Sequence, residues 1–170
     1  NMNTHLSFDG VDDYVNCGNQ TGLAITGSMT VEFSLTPQEK NWGRPISKRG
    51  GSDSGWLFYP DPNSGAVTWW YNGSIARKTA RVLAVDTLYH YAGVYDDTNH
   101  ELRLYENGAL IATEPGVSAL SANDAVLVLG DDVVSDYFSG LLTNIRIWNT
   151  ARTQQQIQDT MNVSLNGNEP

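Results

Sequence analysis

Two stretches at opposite ends of the chain constrain the fold most: LSFDGVDDYV (Leu6 to Val15) and FSGLLTNIRIWN (Phe138 to Asn149). The first sets an Asp-Gly turn and three carboxylates, Asp9, Asp12 and Asp13, between β-favouring runs. The second alternates apolar and polar residues through Leu142, Asn144, Ile145, Arg146, Ile147 and Trp148. Period-2 alternation is the mark of a strand with one buried face. Paired antiparallel, Leu6 to Phe8 against Ile145 to Trp148, these segments would join the termini of an all-β sandwich and bury Leu6, Phe8, Ile145 and Ile147.

Between them, GSMTVEFSLTPQ (Gly27 to Gln38), ISKRG (Ile46 to Gly50), YHYAGVYD (Tyr89 to Asp96), LRLYENGALIAT (Leu102 to Thr113) and VLVLGDD (Val126 to Asp132) follow in order. Val31, Phe33 and Leu35 alternate with Glu32 and Ser34, and Leu102 and Leu104 with Arg103 and Tyr105, so each strand is expected to have one buried and one wet face. Asp9-Gly10, Gly50-Gly51, Asn72-Gly73 and Asn107-Gly108 supply the positive-φ residues of tight turns. Arg152 to Met161 reads as a short helical lid, with Thr153 able to cap its start and Ile157 and Met161 on one face. Taken in this order from Leu6 to Met161, the segments resemble the laminin-G-like, concanavalin-A-like jelly-roll domains. The resemblance implies a two-sheet antiparallel jelly-roll sandwich with one short C-terminal helix, spanning 1–163, and a polar tail or linker over 164–170.

The 170 residues suit one domain. With 19 acidic against 10 basic residues, the formal net charge of −9 speaks against nucleic acid and anionic membrane surfaces as partners and in favour of neutral ligands or divalent cations. The single cysteine, Cys17, has no partner for an internal disulfide and reads as a packed or strand-edge residue. No run of 18 apolar residues occurs, so membrane insertion is not expected. No basic-then-apolar leader opens the chain, and sequons at Asn19, Asn72 and Asn162 fit an extracellular or cell-surface module whose export signal lies elsewhere.

Aromatics carry the functional signal. Trp42, Trp56, Phe58, Tyr59, Trp69, Trp70 and Tyr71 fall within thirty residues. Neighbours in a strand face opposite ways, so Trp69 and Trp70 cannot share a face. Val67, Trp69 and Tyr71 form the more apolar set, which leaves Trp70 outward with Thr68 and Asn72. An exposed indole near Trp42, Trp56, Tyr59, Arg44, Lys48 and Asn72 suits a glycan or polysaccharide, with the sugar's C–H face on the ring and its hydroxyls on polar neighbours.

The resemblance also implies a structural calcium where the first Asp-rich turn meets the last strand, at Asp9 and Asp12 with Thr143 and Asn144. Thr143 and Asn144 stand where the resembled domains carry carboxylates, which lowers the charge count on which Ca²⁺ affinity depends. Asp131, Asp132 and Asp136, with Asp96 and Asp97, are a second acidic group that either forms a rim calcium site or is a set of solvated loops.

Catalysis has little support. Glycoside hydrolysis needs two carboxyls flanking one bond; the Glu-X-Asp-X-Glu strand of the glucanases on the resembled fold does not occur, and neither does the Arg-rich strand with Gln-X-His of the alginate-type lyases. His5, His90 and His100 are scattered, and His90 is expected to be a packing residue whose ring donates to a backbone carbonyl. The expectation is a non-catalytic glycan-binding module of a larger protein. The alternatives are an assembly module making contacts with other domains of the parent protein and, more remotely, a cryptic carbohydrate-active enzyme.

Overall fold

The computed structural model describes residues 4–40, 43–50, 54–61, 63–77, 82–132 and 136–165. Alternating apolar residues draw the chain into strands β1 (Leu6–Asp9), β2 (Val15–Asn16), β3 (Met29–Pro37), β4 (Ile46–Arg49), β5 (Gly55–Pro60) and β6 (Val67–Tyr71). They continue as β7 (Ser74–Arg77), β8 (Tyr89–Asp96), β9 (Glu101–Glu106), β10 (Ala109–Pro115), β11 (Val128–Leu129) and β12 (Ser139–Trp148), before helix α1 (Gln154–Thr160). One six-stranded sheet has the order β1-β12-β3-β8-β9-β10 and the other β2-β11-β4-β5-β6-β7, all antiparallel. This is the expected jelly-roll-like sandwich. Asn72-Gly73 and Asn107-Gly108 turn the β6–β7 and β9–β10 hairpins, with φ of 49° and 84° in the first and 49° and 76° in the second.

Inward side chains of both sheets interlock. Val31, Phe33 and Leu35 of β3 meet Phe58 and Trp69 of the facing sheet, all fully buried. The Trp69 ring lies 4.6 Å from Phe58 and 5.8 Å from Trp56. Gly93 of β8 makes room for it: a Cβ there would fall 2.6 Å from both Phe58 Cζ and Trp69 Cδ2. Cys17 is partly buried against the same core, and burial pushes its thiol pKa up.

The termini pair, in a different register from the one expected. β1 runs antiparallel to the first half of β12, Leu6 opposite Leu142 and Asp9 opposite Ser139, and not to Ile145–Trp148. Phe8 is buried, whereas Leu6 is 40% exposed at the sheet edge. Beyond Leu142, β12 pairs only with β3 and has a bulge between Thr143 and Arg146, where Asn144 takes a φ of 51°. Ile145 and Ile147 are partly buried and pack on the core, so the bulge turns Arg146 onto the outer face.

That outer face is not wet. Thr30, Glu32 and Ser34 of β3 are all buried, as is Tyr105 of β9, because α1 and the segment before it cover the sheet. Thr153 caps α1 in a capping box with Gln156, and Ile157 packs on Ala92, Val94 and Tyr105. Beside this contact the Glu32 carboxylate lies 3.3 Å from His90 Nε2, 3.5 Å from Arg152 Nε and 3.9 Å from Arg146 Nη1, at ion-pair distance. His90 therefore faces a carboxylate and not the expected backbone carbonyl. Arg152 is fully buried, stacks 3.8 Å over the Trp148 ring and donates to the Gln156 carbonyl at 3.0 Å. Arg146 donates to the carbonyls of Thr160 and Val163 at 2.7 and 2.6 Å. Buried charges persist only when paired in this way.

Candidate functional site

Among the described residues, no helix covers the outer face of the second sheet. Pairing places Leu57 opposite Trp70 and Tyr59 opposite Thr68, so Leu57, Tyr59 and Trp70 project outward while Trp56, Phe58, Trp69 and Tyr71 project inward. From β4, Arg49 takes the outward side and Ile46 the inward one. Arg44, Arg49, Leu57, Tyr59 and Trp70 line a shallow concavity of about 240 Å³. Leu57 is buried at its floor, while Tyr59 and Trp70 are half-buried around it.

Both arginines lie against an aromatic. The Arg49 guanidinium sits 5.1 Å from the Trp70 ring and that of Arg44 sits 5.9 Å from Tyr59. Arg44 is also held by Asp132 through Nη1 and by Asp136 through Nε at 3.1 Å. Such pairing fixes the guanidinium in place, and cation–π contact orients it further. The surface therefore combines a flat indole, a phenol and directed N–H donors, a set able to bind a ring bearing hydroxyls or acidic groups.

Of the side chains expected at this surface, Trp70, Tyr59 and Arg44 are brought together. Trp56 and Lys48 are not: Trp56 is a core residue, and Lys48 is buried with Nζ donating to Ala125 O at 2.8 Å and to the Asn19 and Asn123 amide oxygens at 3.3 Å. Burial pushes the Lys48 pKa down, opposed by Asp124. The Asn72 amide donates to the carbonyls of Ser118 and Ala119, away from the indole, and Thr68 is fully buried. Trp42 lies outside the described residues. Arg49 and Leu57 complete the surface without having been singled out, although alternation with Lys48 and Trp56 places them opposite those inward residues.

The acidic groups behave differently from one another. Asp9, Asp12 and Asp13 are exposed, with carboxylate oxygens within 4.8 Å of one another. They also shape their turn: Asp9 Oδ1 accepts from Val11 N at 2.8 Å and Asp13 Oδ2 from Asp9 N at 3.0 Å. Thr143 and Asn144, expected beside them, lie past the other end of β1, about 13 Å along the strand from Ser139, the partner of Asp9. Thr143 instead donates to the Thr4 carbonyl at 3.0 Å. Asp96 and Asp132 are neither solvated nor grouped at one rim, since each is buried on its own arginine. Burial would raise the Asp96 pKa, but bonds from Asn99 and Thr98 and the Arg103 guanidinium hold it below its ordinary value.

With this geometry in place, comparison with known proteins decides the family. The model of the concanavalin A-like lectin/glucanases superfamily, in its third laminin G class, matches residues 9–158. The chain belongs to this family. Mouse pappalysin-1 is 26% identical over 163 residues, a match that covers 85% of this chain and 9% of that protein. The chain thus spans under a tenth of that relative's length. The native heptameric SAP-like pentraxin of Limulus polyphemus superposes with a TM-score of 0.72 at 21% identity, covering 98% of this chain and 84% of that one. The Ruminococcus gnavus IT-sialidase CBM40 bound to α2,3-sialyllactose gives 0.69 at 14% identity, covering 92% and 97%. Domain 4 of the extracellular arabinanase AbnA from Geobacillus stearothermophilus, in complex with arabinotriose, gives 0.68 at 15%, covering 92% and 86%. These likenesses are of fold, and the neighbours include carbohydrate-binding modules. Among the described residues no helix is long and apolar enough to cross a membrane.

Proposed function

We propose that this laminin-G-like sandwich is a non-catalytic glycan-binding module of an extracellular or surface protein, and that it binds its ligand on the outer face of the second sheet. One observation carries the reading: Trp70 stands outward with Tyr59, Arg44 and Arg49 around a concavity, while its neighbour Trp69 anchors the core. Pockets that combine apolar floors with a few directed polar groups are the usual form of a small-ligand site. The sugar-complexed neighbours of the same fold support the choice of ligand class. Residues 1–163 form the module on this reading, with 164–170 as a polar tail.

On the same reading, calcium is held by the Asp9, Asp12 and Asp13 carboxylates together with water and backbone oxygens, without Thr143 or Asn144. Three exposed carboxylates, two of them already accepting backbone N–H groups, suit the millimolar affinity of weak extracellular sites. The ion would brace the turn at the end of β1, remote in sequence from Trp70.

The test is a glycan array followed by titration calorimetry on its best ligand, with Ca²⁺ or EDTA in the buffer. Trp70→Ala should weaken binding several-fold, since aromatic stacking contributes roughly 0.5–1.5 kcal/mol beyond area burial. Trp69→Ala should instead unfold the protein more readily, by about 3–5 kcal/mol. Calcium should raise the melting temperature by mass action. An array without selective binding would favour an assembly module, and unchanged affinity in Trp70→Ala would move the site elsewhere.

A further inference from the structure

The turn between β8 and β9 and the segment after β10 form a second concavity, which shares no lining residue with the one beside Trp70. It measures about 380 Å³, within the range of small-ligand sites, and is lined by Asp97, His100, Gly116, Val117, Ser118 and Ala119. Val117 is buried, while His100, Ser118 and Ala119 are exposed. Its walls are tied from several directions. Val117 N donates to His100 O at 2.8 Å, the Asn72 amide to the Ser118 and Ala119 carbonyls at 3.4 and 3.3 Å, Asp97 N to Ser28 Oγ at 3.0 Å and Leu120 N to the Tyr71 hydroxyl at 3.2 Å. A shape held in this way before a ligand arrives spares much of the ordering cost of binding.

The carboxylates around this turn are not equally matched. Asp96 is met by the Arg103 guanidinium at 2.9 Å and by Asn99 and Thr98, and Glu101 by the same guanidinium at 3.5 Å. Asp97 has no such cation among the described residues; its Oδ1 accepts from the Tyr95 hydroxyl at 2.8 Å. That hydroxyl carries no charge to offset it, since burial and then this bond raise its pKa. Asp96, Asp97 and Glu101 thus share one guanidinium, and the surplus negative charge lies on the carboxylate that lines the concavity. We propose that this concavity is a second ligand site, for an amino sugar whose ammonium meets Asp97 and whose hydroxyls meet Ser118 and His100. A bare ammonium would need only the carboxylate. The Ser118 hydroxyl and the His100 imidazole, each able to donate and accept, line the same concavity and suit a ligand whose hydroxyls surround its amine. Val117 and Ala119 add apolar contact for the ring's C–H groups.

The test is an NMR titration of the isotope-labelled chain, near neutral pH and at about 0.15 M salt, with glucosamine oligomers and their N-acetylated counterparts, which differ in charge at the amine. The free-amine oligomer should shift the backbone amides of His100, Val117 and Ala119. It should also bind about tenfold or more tightly than the acetylated one, because charge-assisted hydrogen bonds are about twice as strong as neutral ones. Asp97→Asn, which keeps an acceptor oxygen for Tyr95, should remove most of that preference, with a thermal melt to establish that the variant is folded. Ser118→Ala, at an exposed position, should weaken the free-amine oligomer several-fold whether or not Asp97→Asn folds. Equal binding of the two oligomers, a preference that survives in a folded Asp97→Asn, or an affinity unchanged in Ser118→Ala would overturn the proposal. Nα-acetyl-lysine amide probes the other source of an ammonium: if it binds here as tightly as the oligomer, the amino-sugar assignment falls. Shifts confined to the strands around Trp70 would overturn the second site and leave the glycan reading of that face standing.

Discussion

Gly93→Ala tests the packing that forces Trp70 outward. The added Cβ would lie 2.6 Å from Phe58 Cζ, 2.6 Å from Trp69 Cδ2 and 2.9 Å from Trp69 Cε2. Carbon atoms in contact sit about 3.5–4.0 Å apart, so two rings must retreat by about 1 Å. Neither has room to do so: Phe58 meets Phe33 edge-on at 4.7 Å, and Trp69 is flanked by Trp56 and Tyr71 at 5.8 and 6.0 Å. Overpacking of this kind costs about 1–3 kcal/mol, and a methyl facing two fixed rings belongs at the upper end. For a domain of this size that is a fall of about 6–12 °C in melting temperature, readable by calorimetry or urea titration. The sharper measurement is a double-mutant cycle with Trp69→Ala, which removes the ring that the methyl strikes. The pair should be less destabilised than the sum of the single variants by about 1 kcal/mol or more. A Gly93→Ala chain as stable as the native one, or strictly additive effects, would refute the proposed contact between the sheets.

Arg152→Met keeps the bulk against Trp148 but leaves Glu32 with only Arg146 and His90, so stability should fall by about 3–5 kcal/mol, as when one partner of a buried ion pair is lost. Adding Glu32→Gln should restore part of that loss in denaturant melts, and a neutral Arg152→Met would refute the charge network as an anchor for α1. Burial raises the pKa of the stacked Tyr71 and Tyr95 hydroxyls, and the bond from Tyr95 to Asp97 raises that of Tyr95 further. A folded pKa above the unfolded one means stability is fully present below about pH 10 and lost as pH rises through the folded value, so the urea midpoint should drop between about pH 10 and 12. A midpoint that is flat across that range would contradict it.

Local alternation made much of the fold legible. Val31, Phe33 and Leu35, and the opposed Trp69 and Trp70, follow from the pleat alone, and the Asn-Gly turns mark their own hairpins. Alternation says which residues share a face but not whether another element covers it. Glu32 therefore read as wet, when Arg146 and Arg152, more than a hundred residues away, make its burial possible. The terminal register was equally hidden: β1 has four residues, only Phe8 is buried, and a strand with one anchoring side chain barely specifies its pairing. The bulge that separates the two halves of β12 depends on a positive φ at Asn144, which no sequence period announces.

The candidate site shows how far a local rule extends when applied consistently. Trp56 and Tyr59 stand three apart in one strand and so point to opposite faces; an outward Tyr59 already implies an inward Trp56 and an outward Leu57. The same parity separates buried Lys48 from Arg49, the cation that lies against Trp70. What parity cannot supply is the pairing between strands, and it is the register that sets Leu57 opposite Trp70 and makes a surface from separate outward residues. The same register brings the cations Arg44 and Arg49 to the Tyr59 and Trp70 rings, so the polar groups of the surface, like its aromatic ones, come from separate segments that only the paired sheet unites.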